Sequence, residues 1–272
     1  MQILRNQHRN ALFYQYSTRS LTRFVHKARE PLKLDFQSND SILSLFKDGF
    51  AYPYLDQLSD AYKSIRLYRE WTFGRNTIFR SPQEADAPSD RLNEDFSNLG
   101  LFLNHLRSIP KTKNEIIERL KDLYAGLDDF DIRVKGGTVE IFLTEKDFVI
   151  PASRLSDGTL RYLCLLAILC DPDPPKLICI EEPELGMHPD LIPKIADLIV
   201  SASQRTQLVV TTHSDILVDA MSGQPESVVV FEKHEGQTTT KRLKETDELK
   251  EWLQRYRLGQ LWTRGEIGGT RW

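Results

Sequence analysis

Leu177-Ile178-Cys179-Ile180-Glu181-Glu182-Pro183-Glu184 is the stretch on which the reading of this chain turns. Four consecutive apolar residues followed by acids and a proline describe a short, fully buried strand with carboxylates at its carboxyl end. Adjacent carboxylates repel each other. They are tolerable where one faces a hydrated Mg²⁺ and the other a polarised water. That assigns the metal to Glu181 and the orientation or deprotonation of an attacking water to Glu182. An acidic loop after a strand is the plainer alternative, and the segment alone does not choose between them.

The flanking sequence supplies the context. Downstream, Pro189 to Gln204 is amphipathic, with Leu191, Ile195, Leu198 and Ile199 at helical spacing. Gln207 to Thr211 is a second apolar strand, Asp215 to Met221 a short helix, and Ser227 to Phe231 a third apolar strand. Upstream, Thr159 to Cys170 reads as a buried helix, closed by the proline-rich break Asp171 to Pro175. Apolar strands alternating with helices predict an α/β fold whose parallel sheet is buried on both faces. Ligands of such sheets bind at the carboxyl ends of the strands, where Glu181, Glu182 and His213 stand.

Two further segments fit a phosphate site. Leu155-Ser156-Asp157-Gly158-Thr159 directly precedes the apolar helix. A helix start offers unpaired N–H groups and a positive dipole end, Gly158 permits close approach, and Ser156 can donate a hydrogen bond. The same residues make an ordinary N-cap. Thr211-Thr212-His213-Ser214 ends the second strand, and a histidine there can sense a γ-phosphate or simply be a satisfied structural residue. What favours chemistry is the order: helix start, strand with two acids, helix, strand with Thr-His.

At this point the chain resembles a known family. Leu155 to Thr159 is similar to the ABC signature motif and Leu177 to Glu182 to a Walker B strand with its catalytic glutamate. Leu185-Gly186-Met187-His188 resembles the D-loop, and His213 the switch histidine. The wording is close to the RecF-like AAA-type core ATPases, relatives of RecF, SMC and the OLD proteins. It is strongest from Leu155 to Asp219 and weaker in Tyr68 to Phe73, in Asn98-Leu99-Gly100 and in Leu258 to Gly265. The resemblance implies a partial P-loop NTPase of the ABC-head type, with a parallel-sheet core and a mixed helical and β-hairpin lobe. It implies ATP and Mg²⁺ as cofactors and a head-to-head dimer in which Leu155 to Thr159 meet the nucleotide of the opposite subunit. Glu182 and His213 would be catalytic and Glu181 would hold the metal. DNA repair, recombination or phage defence would be the setting, with DNA or a nuclease subunit as partners.

Three departures qualify it. Asp157 stands where a transporter signature has glycine, and an acid beside a phosphate is unfavourable unless it points away. Glu181 replaces the usual aspartate and is one methylene longer. No G-x-x-x-x-G-K-[ST] loop exists in the chain, nor any Gly-Lys pair. That loop supplies the amide cradle, the lysine and a Mg²⁺-binding hydroxyl, so ATP binding in cis is expected to be very weak. The expectation is a chain that begins inside its domain and is inactive alone. Alternatively it is a regulatory or split subunit that lends its signature helix to a complete ATPase partner. An OLD-type nuclease would need a Toprim domain after the ATPase. The residues beyond the Thr-His strand instead read as a hairpin, Val228 to Leu243, and a helix from Asp247.

The remaining sequence gives four expected parts: residues 1–30, a remnant of the N-terminal ATPase lobe; 31–153, the helical and hairpin lobe; 154–235, the ATPase core; and 236–272, a C-terminal strand and helix. Strand signals lie at Phe13 to Tyr16, Leu21 to Val25 and Ile65 to Phe73, and Phe36 to Phe46 is of mixed character. A helix is expected over Pro53 to Ser64 and a polar loop over Arg80 to Asp95. Helices follow at Asn98 to Leu106 and at Lys113 to Leu123, the latter with Thr112 and Glu115 as a capping box. Phe130 to Val134 and Thr138 to Leu143 alternate around Gly136-Gly137, which predicts a hairpin, and Phe148 to Ile150 adds a third strand.

Net charge is −3 and 40% of residues are apolar, so the chain as a whole is no polycation and can bury a core. Arg5, Arg9, Arg19, Arg23, Lys27 and Arg29 face only Glu30, a patch that suits DNA phosphates or a solvated face. Cys164, Cys170 and Cys179 form no C-x-x-C pair and read as small buried hydrophobes in a reducing cytosol. The longest apolar run, Tyr162 to Cys170, is far short of the roughly 20 residues of a membrane span. A cytoplasmic protein with no membrane partner is expected.

Overall fold

The computed structural model describes residues 2–5, 11–15, 20–25, 28–32, 53–69, 71, 74–123, 126–244 and 246–269. They fall into two compact units, residues 1–64 and 65–272. The first holds an antiparallel meander of β1 (Gln2–Arg5), β2 (Ala11–Gln15), β3 (Ser20–Val25) and β4 (Ala28–Leu32), in that order. It also holds helix α1 (Pro53–Lys63). The mixed segment Phe36 to Phe46 lies outside the described residues.

The second unit is built on a parallel sheet. Its strands are β5 (Ile65–Tyr68), β10 (Leu177–Glu181) and β11 (Gln207–Thr211), with β10 in the middle. The third strand is therefore supplied from far upstream. The apolar run at Ser227 to Phe231 instead enters an antiparallel hairpin, β12 (Val229–His234) with β13 (Gln237–Arg242).

One face of the parallel sheet is buried, through Ile178 and Ile180 at 1% exposure each. The other is open: Leu67 (40% exposed) and Val209 (47%) flank the half-buried Cys179 in one cross-strand row. The expectation of burial on both faces is thus corrected for the described residues, and so is the assignment of Cys179 to the interior.

Between β5 and β10 lie a lobe and the central helix. Helices α2 (Leu99–Arg107) and α3 (Pro110–Leu120) pack with the hairpin β7 (Leu127–Lys135) and β8 (Thr138–Glu145). Short strands β6 (Gln83–Glu84) and β9 (Phe148–Pro151) pair with the opposite edge of β8. Gly136 and Gly137 close the hairpin at φ 59° and 81°, the left-handed pair a tight two-residue turn demands. Helix α3 begins earlier than the sequence suggests. Pro110 occupies its first turn, and Thr112 is buried inside it, so the proposed capping box does not form. Phe96, itself at φ 60°, packs against Tyr68, Trp71 and Phe79 and ties this lobe to the end of β5.

Helix α4 (Asp157–Leu169) is buried without a break from Leu160 to Leu169 and shares one core with the lobe and the parallel sheet. Each leucine buried there contributes about 1.5–3 kcal/mol. Helices α5 (Ile192–Ala202) and α6 (Asp215–Ala220) follow β10 and β11. A smaller core joins the β12–β13 hairpin with α7 (Asp247–Leu253) and α8 (Leu258–Thr263) through Leu243, Leu249, Leu258 and Leu261. No described helix is long and apolar enough to cross a membrane.

Candidate functional site

The carboxyl ends of β10 and β11 lie side by side, Glu181 opposite Thr211 in the register. Beyond that pair the chain turns sharply. Glu182 adopts a left-handed φ of 43°, and its N–H donates to the Thr211 carbonyl at 3.0 Å. The turn sends the Glu182 carboxylate across to the neighbouring strand end. Its Oε1 lies 3.8 Å from Nε2 of His213, whose side chain is 84% exposed. The sequence reading puts these two residues at the carboxyl ends of two strands, and the structure brings their side chains together there.

The backbone of His213 is held by Glu184, a residue that no motif in the sequence marks. Glu184 Oε1 accepts from the Thr212 hydroxyl at 2.5 Å and from the His213 N–H at 3.2 Å. The Thr212 hydroxyl oxygen in turn accepts from the Ser214 N–H at 2.9 Å. Ser214 then caps α6, accepting from the Leu217 N–H at 3.2 Å. Glu184 Oε2 is buried, with no hydrogen-bond partner among the described residues. A signal existed: an acid held near a strand end needs donors, and Thr212 supplies one.

The start of α4 is an N-cap as well as a candidate anion site. Ser156 Oγ accepts from the Thr159 N–H at 3.0 Å and lies 2.8 Å from the Thr159 hydroxyl. Gly158 faces the loop after β10: a Cβ placed on it would lie 3.4 Å from the Gly186 carbonyl oxygen. Gly186 itself sits at φ 73°. Leu185 and His188 are exposed, and His188 Nδ1 accepts from the Asp190 N–H at 3.4 Å to start the following 3₁₀ turn. Met187 packs on the main core.

Asp157 does not stand free at the helix start. Arg80 binds its carboxylate at 2.5 Å and reaches the Leu155 carbonyl at 2.6 Å. Deeper in, the Arg161 guanidinium is buried and lies 4.8 Å from the Trp71 ring. Burial holds its pKa below the usual guanidinium value, and nearby groups including Glu184, Glu182 and Asp157 oppose that shift. The Trp71 indole N–H donates to the Glu181 carbonyl at 2.6 Å. Arg80, Trp71 and Arg161 received no role from the sequence, because an arginine in a polar loop and a tryptophan after a strand carry no spacing rule.

Glu181, at the exposed end of β10, is the carboxylate that would hold a Mg²⁺, with phosphate and water completing the shell. Among the described residues no group of three His, Cys, Asp or Glu side chains could hold a metal ion.

The sequence profile of the family described as "AAA domain, putative AbiEii toxin, Type IV TA system" matches residues 3–219. The chain belongs to this family. The family is of the ATPase type, and the chain has a mixed α/β fold with a parallel sheet. The Old nuclease of Escherichia phage P2 is 24% identical over 157 residues, which are 48% of this chain and 27% of that protein. The chain therefore spans about a quarter of the length of that curated relative. The SMC head domain from Thermotoga maritima is 12% identical, with 86% of this chain and 73% of that one covered and a TM-score of 0.40. The SmcHead bound to the C-winged helix domain of ScpA is 16% identical, with coverage of 67% and 56% and a TM-score of 0.47.

Proposed function

We propose that this chain is the signature and Walker B part of an ATP-hydrolysing head that works face to face with a second head. The observation that carries the reading is the meeting of Glu182 and His213 at adjoining strand ends, with Glu184 fixing the histidine's backbone. In this reading Glu181 holds Mg²⁺, whose charge stabilises the phosphates when bound. Glu182 takes the proton of the attacking water, and His213 donates to the γ-phosphate. The helix start from Leu155 to Thr159, with the adjoining loop from Leu185 to His188, faces the nucleotide of the opposite head. Because the sequence holds no Gly-Lys pair, the phosphate loop has to come from elsewhere. That fact equally favours a second reading, a regulatory or split subunit that lends α4 to a complete ATPase. The 24% identity to a phage nuclease supports a setting in DNA metabolism or phage defence, beside a nuclease.

Two assays test this. Phosphate release by the chain alone with Mg²⁺ and ATP should not exceed background; turnover abolished by Glu182→Gln would show an overlooked phosphate loop. In the chain joined to a phosphate-loop segment, Ser156→Arg should block pairing of heads and Glu182→Gln should bind ATP without hydrolysing it. Mixed together, the two variants should recover activity, because one of the two composite sites then holds an intact Ser156 and an intact Glu182. Heterodimers that form yet stay as inactive as either parent sink the face-to-face arrangement.

A further inference from the structure

We infer that Arg80 is a positioning residue for the signature loop: it cancels the charge of Asp157 and holds the backbone that presents Ser156 and Gly158. The inference rests on the reading of the α4 start as the element that faces phosphate.

All the faces of the guanidinium are engaged. Nη2 binds the Asp157 carboxylate at 2.5 Å. Nη1 reaches the carbonyls of Leu155 (2.6 Å), Ser153 (3.3 Å) and Ala152 (3.5 Å). Nε donates to the Gly74 carbonyl at 2.9 Å. The Arg80 side chain is 14% exposed, so this is no surface pair swinging in water, whereas the Asp157 side chain is 50% exposed and faces the site's solvent. A planar fork with fixed donors is suited to this task, and a lysine ammonium cannot reproduce it.

Two consequences follow. A carboxylate in the first turn suits the helix dipole but repels an incoming phosphate. With Arg80 on it, the helix start presents the dipole and its N–H groups without a net negative charge. Second, the three carbonyls belong to the turn that leads into α4, and Leu155 is the extended residue just before the cap. Holding them fixes the direction in which Ser156 enters the helix. Gly74 lies three positions after Trp71, whose indole holds the Glu181 carbonyl. The stretch that follows β5 therefore touches both halves of the site, one through Trp71 and the other through Arg80.

The test uses the whole chain, with inorganic tripolyphosphate as probe, followed through the amide resonances of Gly158 and Thr159. Wild type should respond to the titration, and Arg80→Gln should weaken the apparent affinity at least tenfold. Adding Asp157→Asn to Arg80→Gln should restore it to within about threefold, because the uncancelled charge is gone. Amide exchange at residues 155–160 should rise at least tenfold in Arg80→Gln and stay high in the double variant, because the carbonyl contacts remain lost. Arg80→Lys, which preserves the charge, should keep most of the affinity and lose the exchange protection. Wild-type affinity and exchange in Arg80→Gln overturn the inference, as does a double variant that fails to regain affinity. A wild-type chain whose amides ignore tripolyphosphate refutes the phosphate-facing reading of α4 itself, and the role of Arg80 falls with it.

Discussion

Glu184→Ala removes the acceptor shared by the Thr212 hydroxyl and the His213 N–H. Hydrogen bonds to a charged group contribute about 1.5–3 kcal/mol each, so the gross loss is about 3–6 kcal/mol. Against this, the variant no longer buries the unpartnered Oε2, a relief of about 1–3 kcal/mol. Taking mid-range values of about 4.5 and about 2, the net is a loss of about 2–3 kcal/mol. For a unit of this size a kilocalorie moves the melting midpoint by roughly 2–4 °C, so the midpoint should fall by about 4–12 °C. Glu184→Gln keeps an acceptor at about half the strength and should lose less. Calorimetry measures the midpoint, and hydrogen exchange at Thr212 to Ser214 locates the damage. An alanine variant that melts like wild type, with unaltered exchange there, would mean that Glu184 does not hold the histidine loop.

Native iodoacetamide treatment at about pH 8 should label Cys179 and spare the other two thiols until the chain unfolds. Burial pushes the Cys170 thiol up to about 12 and that of Cys164 further; it raises Cys179 too, but that thiol is half-buried on the open sheet face and within reach of the reagent; three adducts on the folded protein would contradict this. Burial works to raise the Asp131 carboxyl, but hydrogen bonds from Arg133 and Arg107 outweigh it and hold the group below the usual aspartate range. Its contribution is present above the unfolded value and lost as pH falls through the folded one, so Asp131→Asn should destabilise at about pH 7 and be neutral near pH 2; chemical denaturation at both pH values decides. Gly259→Ala places a Cβ 2.1 Å from the Asp215 carbonyl oxygen and should loosen the docking of α8 by about 1–3 kcal/mol, seen as faster proteolysis after Leu258. If the chain binds DNA through the basic residues between Arg5 and Arg29, the affinity should weaken steeply with salt and ignore base sequence; salt-independent affinity would rule out a phosphate-driven contact.

The parts of the fold that read clearly were those with a period. The strand at Gln207–Thr211, the hairpin about Gly136 and the buried helix before Cys170 all follow from local pattern and turn chemistry. What could not be read was partnership between distant segments. Ile65–Tyr68 alternates only loosely, and nothing in it says that it will lie beside Leu177–Glu181. Thr112 and Glu115 have the spacing of a capping box, yet Pro110 starts the helix a turn earlier and Thr112 is spent in the core. In the site, the acids and the histidine were visible because they sit at strand ends. Arg80 was not, because its five contacts are to a carboxylate and to backbone carbonyls, which carry no residue identity.

The left-handed backbone at Glu182 sets stability against chemistry at a single position. A side chain other than glycine in that conformation costs about 1–2 kcal/mol, and glycine would relieve it while keeping the turn. A laboratory selection for heat resistance alone would therefore favour discarding this acid early, and the hardier protein it returned would have lost the group that faces His213. Anyone evolving this domain for robustness has to select on function at the same time, or hold position 182 fixed.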